Sequence, residues 1–323
     1  MKKLGIVTPG GDAPGINAAI GTILSLSRNE KREVIGICDG YKGLVESDFY
    51  DLKGVSYDWL MGISGTILHS LRMDSFKKEK VLKIAAKNLK NNQIQGLIVI
   101  GGDGSFRGAL ELHKHSGIPI VAIPATIDND IYGTAETIGF DTACNTALEA
   151  INRIKDTAVS FERIFLVEVM GRERGFIALE VGIASGAEAI LIPEVESPLE
   201  EIANGIIKAR KKGKSNAIIV VAEGVKNKDE IPNFLEDKTG STVRKSILGY
   251  IQRGGFPTRR SRMLAVQYAS YAYEIIKEFP TRPKMVGLED GKIITMDLEQ
   301  SVEGYKEIDL DRYKLHRRLS SIY

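Results

Sequence analysis

Short apolar runs rich in Val and Ile alternate along the chain with longer stretches whose apolar positions recur every three or four residues. The runs predict buried strands at 4–8, 34–38, 97–100, 118–123, 164–169, 189–192 and 217–222. The longer stretches predict helices, among them 16–27, 78–91, 144–156, 199–212 and 260–278. Strands that are apolar throughout and separated by helices belong to parallel sheets covered on both faces. The pattern therefore predicts an α/β fold of two doubly wound, Rossmann-like domains with mostly parallel sheets. No linker or low-complexity segment marks a boundary, which is placed near Gly139, after the first group of strands.

Composition narrows the class without naming a function. The 323 residues suffice for two cores, and 43% hydrophobic with 27% charged residues is ordinary for a globular protein. With 44 basic and 42 acidic side chains, net charge is +2, which gives no argument for a nucleic-acid or membrane partner. Cys38 and Cys144 are too far apart to form a metal-ligand motif, and they suit a reducing compartment. The first apolar run is too short for a signal peptide, and no window reaches the ~18 apolar residues of a membrane span. A cytoplasmic location is expected.

Ligands of open parallel sheets gather beyond the carboxyl ends of the strands, so the residues there carry the chemistry. After the first strand comes "TPGGDAPGIN", where Gly10 and Gly11 allow a sharp turn and Pro14 suits the first turn of a helix. This is neither a Walker A loop nor a clean GxGxxG. After "LIVI" comes "GGDGS": Gly102 and Gly104 can bring N–H groups to phosphate oxygens, and Asp103 can hold magnesium directly or through water. After "IPIVAIPATIDND", with Pro124 read as closing the strand, Thr126, Asp128 and Asp130 follow. Read as extended, the segment turns both carboxylates to one side, one to take a proton and one to help hold a metal. The second half supplies cations: Arg163, Arg172 beyond another strand, Arg244, and Arg253 in a glycine turn, which suit phosphate. His69, His113, His115 and His316 form no ligand spacing, no GxSxG occurs, and the basic run 208–214 reads mainly as a solvated helix end.

"GGDAPG", "GGDGS", "TIDND", "EVMGR" and "QRGG", in this order and over essentially the whole chain, resemble the bacterial 6-phosphofructokinases. The resemblance implies the phosphofructokinase fold, with a nucleotide-binding domain at 1–138 plus about 251–300 and a sugar-phosphate domain at 139–250 plus about 301–323. It implies a homotetramer with shared active sites that transfers a phosphoryl group from ATP, with Mg2+, to the 1-hydroxyl of fructose 6-phosphate. Asp128 matches the proton acceptor, Thr126 and Ile127 match substrate contacts, with Thr126 also in a catalytic role, and Asp103 with Asp130 matches the magnesium side. Gly11, Tyr41, Arg72, Met73, Gly102, Asp103, Gly104 and Ser105 match nucleotide positions. Met170, Gly171, Arg172, Glu223, Tyr250 and Arg253 match sugar-phosphate positions, with Arg172 also in a catalytic role. Arg163 and Arg244 match arginines that reach a neighbouring subunit's sugar phosphate.

The departures from the family bear on donor and regulation. Its pyrophosphate-dependent branch has Asp at the last glycine of GGDG and Lys before the TIDND threonine. Gly104 and Ala125 stand here, which favours ATP. Tyr250 replaces a His beside the 6-phosphate and Ser261 replaces an Asp. Gly21 and Ser25 stand where the family's effector site has two arginines, while Lys155, Glu188, Lys212 and Lys214 match its other positions. Weakened response to ADP and phosphoenolpyruvate is expected. The alternatives are a pyrophosphate-dependent enzyme, a non-catalytic paralogue that binds sugar phosphate or nucleotide, and a kinase of tagatose 6-phosphate.

Overall fold

The computed structural model describes residues 2–323. The chain separates into two compact units: everything up to Thr142 with Arg253–Lys306, and Ala143–Gln252 with Glu307–Tyr323. In chain order the first unit begins β1 (Lys3–Val7), α1 (Ile16–Asn29), β2 (Glu33–Ile37), α2 (Tyr41–Glu46), β3 (Phe49–Asp51) and α3 (Tyr57–Gly62). It continues α4 (Glu79–Asn91), β4 (Gly96–Gly101), α5 (Asp103–Ser116), β5 (Ile120–Thr126) and β6 (Ile138–Gly139). After α6 (Phe140–Phe161), the second unit runs β7 (Ile164–Val169), α7 (Phe176–Ser185), β8 (Ala189–Leu191), α8 (Leu199–Lys211), β9 (Ala217–Ala222), α9 (Ile231–Thr239) and β10 (Val243–Ile247). The chain returns to the first unit for α10 (Arg259–Lys277), β11 (Lys284–Glu289), β12 (Lys292–Asp297) and α11 (Leu298–Glu303), and ends in the second with α12 (Leu310–Leu319).

The large sheet runs β12-β11-β5-β4-β1-β2-β3, with β6 paired to the end of β5. Strand order reverses between β4 and β1, and this reversal opens a crevice at their carboxyl ends. The central strands are apolar on both faces because helices cover both; Ile98, Val99 and Ile100 of β4 are fully buried. The second unit carries a smaller, all-parallel sheet, β10-β7-β9-β8. Its strands β7 and β9 are buried almost throughout, whereas β10 lies at the edge and carries the polar residues Arg244, Lys245 and Ser246.

One strand end differs from its sequence reading. β5 does not stop at Pro124 but continues to Thr126. On one side β5 pairs with β11 through Val121 and Ala122, then with β6 through Ala125 and Thr126. Pro124 lies between the two, where the exchange of neighbours leaves room for a residue that has no N–H.

Candidate functional site

The carboxyl ends of β1, β4 and β5 meet in the first unit because these strands are neighbours in the sheet. Beyond β1 the chain turns at Gly10, whose φ of +97° is open to glycine but not to most residues. The Ser105 hydroxyl donates to the Pro9 carbonyl at 2.7 Å, tying the "GGDGS" turn to the "PGG" turn. Gly102 lies against Thr126: a Cβ there would come within 3.6 Å of the threonine Cβ. The Gly10 N–H donates to the Leu71 carbonyl at 3.5 Å, which brings the segment of Arg72 and Met73 beside the first turn. Arg253 packs on Gly11, 3.1 Å from where a Cβ would stand, with its guanidinium 3.7 Å from Asp12.

Tyr41 serves this assembly from below. It is 5% exposed, stacks on Phe76 with ring centroids 4.0 Å apart, and donates its hydroxyl to the Ser105 carbonyl at 2.5 Å. Burial pushes its phenol far above the usual tyrosine range, so it stays a neutral donor. The structure gives it the task of holding Ser105 rather than that of offering an open ring face.

Asp103 opens α5, and its carboxylate accepts from Arg107 at 2.9 Å. The start of a helix favours anions through its partial positive charge and outward N–H groups. Gly104 stands in open space, with nothing within 4 Å of a Cβ placed on it. Among the described residues no three His, Cys, Asp or Glu side chains are grouped to hold a metal ion. An ion bound mainly by phosphate and water needs no such cage, and Asp103 and Asp130 are the carboxylates that the sequence matches to it.

The "TIDND" loop is not extended. Asn129 takes φ +54°, so the chain bends between the two aspartates and the alternation expected of a strand does not apply. Asp128 is 2% exposed, whereas Asp130 is partly exposed. The Asp128 N–H donates to the Thr126 hydroxyl at 3.2 Å, so Thr126 shapes the loop that carries the acid. Ile127 is buried beneath it.

In the second unit, Met170, Gly171 and Arg172 follow β7 and Glu223 follows β9, at the same end of the small sheet. The Met170 N–H donates to the Gln252 side chain at 2.9 Å and the Arg172 N–H to the Glu223 carboxylate at 3.1 Å. Arg172 is exposed and held at φ +52°, an unusual conformation for a non-glycine residue. Arg163 precedes β7 and Arg244 pairs in register with Phe165, so both lie at the opposite end of this sheet. At ~3.3 Å per strand residue, roughly 20 Å separates the two groups. Tyr250, beyond β10, is 80% exposed.

The residues matched to the effector site are largely occupied. Gly21 is buried in the contact of α1 with α3, where a Cβ would approach the Leu60 Cβ to 3.1 Å; Ser25 is partly exposed. Lys155 donates to the Ser185 carbonyl. Glu188 accepts from Lys214 and from the Ile218 N–H at 2.6 Å. Lys212 is exposed. Ser261 is buried, with its hydroxyl 2.8 Å from that of Thr142, and the nearby cap Thr258 bonds the Asp141 carboxylate at 2.5 Å.

Sequence reasoning passed over Glu168. It is 7% exposed, meets Lys228 at 2.6 Å and Lys245 at 3.0 Å, and Lys228 also donates to the Glu223 carbonyl at 2.6 Å. This carboxylate ties β7 to β10 and to the segment beyond β9. The signal was a lone acid inside an apolar strand, which rarely stays buried unless paired.

Comparison with known proteins gives the family of the chain. A family model described as Phosphofructokinase matches residues 3–276. An ATP-dependent 6-phosphofructokinase of Persephonella marina is 47% identical over 99% of this chain and all of its own length. The protein of that name from Aquifex aeolicus is 46% identical over 98% of this chain and 99% of its own. Among solved structures, phosphofructokinase from Saccharomyces cerevisiae superposes with a TM-score of 0.88 at 32% identity over 94% of this chain, which spans 45% of that longer chain. A pyrophosphate-dependent phosphofructokinase from Marinobacter aquaeolei shares the fold, with a TM-score of 0.84 at 21% identity, covering 96% of this chain and 86% of its own. A match over most of the length, with relatives close to half identical from end to end, places the chain in the phosphofructokinase family.

Proposed function

We propose that the chain transfers the terminal phosphoryl group of ATP to the 1-hydroxyl of fructose 6-phosphate, giving ADP and fructose 1,6-bisphosphate in glycolysis. The observation that supports the site assignment is the meeting of three strand ends, joined by the Ser105 hydroxyl on Pro9 and by Gly102 against Thr126. The glycine turns and the start of α5 receive the phosphates of the donor. Asp128 accepts the proton of the 1-hydroxyl as its oxygen bonds to the γ-phosphorus and the bond to the β–γ bridging oxygen breaks. Arg172 and the Gly11 turn stabilise charge on the group in transfer. Met170, Gly171, Glu223, Tyr250 and Arg253 hold the sugar phosphate. Magnesium, carried with ATP near Asp103 and Asp130, would neutralise phosphate charge.

ATP is favoured over pyrophosphate by two positions. Gly104 faces open space that an aspartate would take from the nucleotide. Ala125 is 1% exposed in β5 and supplies no cation. A coupled assay is expected to show turnover with ATP and fructose 6-phosphate and at most a trace with pyrophosphate; the reverse preference would overturn this reading. In the same assay phosphoenolpyruvate and ADP are expected to leave the sugar-phosphate curve hyperbolic, because Gly21 is closed off by Leu60 and Lys155, Lys214 and Glu188 have internal partners. Strong sigmoidal inhibition relieved by ADP would contradict it.

Arg163 and Arg244, at the far end of the small sheet from Met170 to Arg172, suit the sugar phosphate of another copy in a homotetramer. Exposed Val159 and Phe161, just before Arg163 in the chain, are apolar surface that a second copy would cover. Asp128→Ser and Arg244→Ala chains, each inactive alone, should regain activity when unfolded and reassembled together. No recovery would sink the shared site. No helix among the described residues is long and apolar enough to cross a membrane, and a cytoplasmic location fits the proposed reaction.

A further inference from the structure

The loop from Thr126 to Thr137 is closed on itself by side chains that carry no assigned role. Asn129 stands at φ +54°, which Asn tolerates better than most non-glycine residues. Its amide nitrogen donates to the Ala135 carbonyl at 3.2 Å, and its amide oxygen accepts from the Thr137 N–H at 3.1 Å. The Thr137 hydroxyl, fully buried, donates to the Thr126 carbonyl at 2.6 Å. Lys306, the last residue of the first unit, donates its ammonium to the Asn129 amide oxygen at 2.9 Å and to the Ala135 carbonyl at 3.1 Å.

The ammonium selects one orientation of the amide. With oxygen toward Lys306, Asn129 both accepts from Thr137 and donates to Ala135; flipped, it would set its NH2 against a cation. A hydrogen bond from a charged donor is also stronger than a neutral one. Asp128, 2% exposed, is one of the two residues between Thr126 and Asn129, both of which this closure ties down.

We propose that Lys306 and Asn129 are positioning residues for Asp128, acting through the loop without touching the sugar. This rests on Asp128 being the proton acceptor. Displacement of a catalytic group by about 1 Å can cost on the order of 100-fold in rate, so a loosened loop lowers kcat more than it alters binding of the donor.

The test compares Lys306→Met, Lys306→Arg and Asp128→Ser with the native enzyme in steady-state kinetics and thermal melting. Lys306→Met is expected to lower kcat roughly 10- to 100-fold, leave KM for ATP within about twofold, and shift the melting temperature by only a few degrees. Lys306→Arg, which keeps a cationic donor, should recover most of kcat. Native kcat in Lys306→Met, or equal loss in the Met and Arg variants in step with a fall in melting temperature, overturns the proposal. If Lys306→Met does not fold, Thr137→Val carries the test: a kcat loss with KM for ATP kept supports it, and native kcat overturns it. An inactive Asp128→Ser beside a fully active Lys306→Met removes the positioning role alone; an active Asp128→Ser removes the proton acceptor itself.

Discussion

Replacing Asp128 by serine will lower kcat by roughly 10²- to 10⁴-fold, the share that a positioned base contributes, while KM for both substrates stays within a few fold. The split follows from the loop. Its bend is set by the Asn129 amide and the Thr137 hydroxyl, and neither depends on the Asp128 side chain. Serine fills less space and can still hydrogen-bond a sugar hydroxyl, but it cannot accept a proton at neutral pH. Steady-state rates with a binding titration of fructose 6-phosphate measure the two effects separately. A variant that retains more than a tenth of native kcat would remove Asp128 from the chemistry.

Gly104→Asp will fold as well as the native chain yet lose ATP-dependent kcat/KM by about tenfold to a thousandfold. Space is not the obstacle to folding, since no atom lies within 4 Å of the new Cβ. An acidic residue in the first turn of α5 also suits the helix dipole. The same carboxylate would meet the donor's phosphates. Two unit charges about 4 Å apart repel by ~1 kcal/mol in water and ~4 kcal/mol near a protein surface, and every ~1.4 kcal/mol is a factor of ten. An unchanged melting temperature with a collapsed ATP rate is the expected pair of readings. Unchanged ATP kinetics would mean that the nucleotide does not lie over this turn.

The central strands were readable because burial on both faces leaves uninterrupted apolar runs: β7 and β9 fall at the residues expected. The strands that went unread lie at edges or in antiparallel pairs. β10 mixes Arg244, Lys245 and Ser246 into an edge strand, so its pattern is that of a solvated loop. The hairpin of β11 and β12 turns at Asp290–Gly291, a dipeptide that favours such turns, but it lay beyond the last helix the periodicity marked. In the site, the glycine turns announced themselves by composition. The bend at Asn129 rests on side-chain bonds within its own loop that strand periodicity does not register, and the burial of Tyr41, the pairing of Glu168 and the reach of Lys306 depend on contacts distant in sequence, which local pattern does not encode.

The exchange of neighbours along β5 has a consequence for how the acid is presented. Because the strand runs on to Thr126, Asp128 leaves the sheet only two residues after the last paired position. Most of the conformational entropy of placing it was therefore surrendered when the chain folded, and little is left to be lost when substrate arrives. For the proposed proton acceptor such a placement is pre-organisation, and binding energy from the sugar would remain available for the reaction itself.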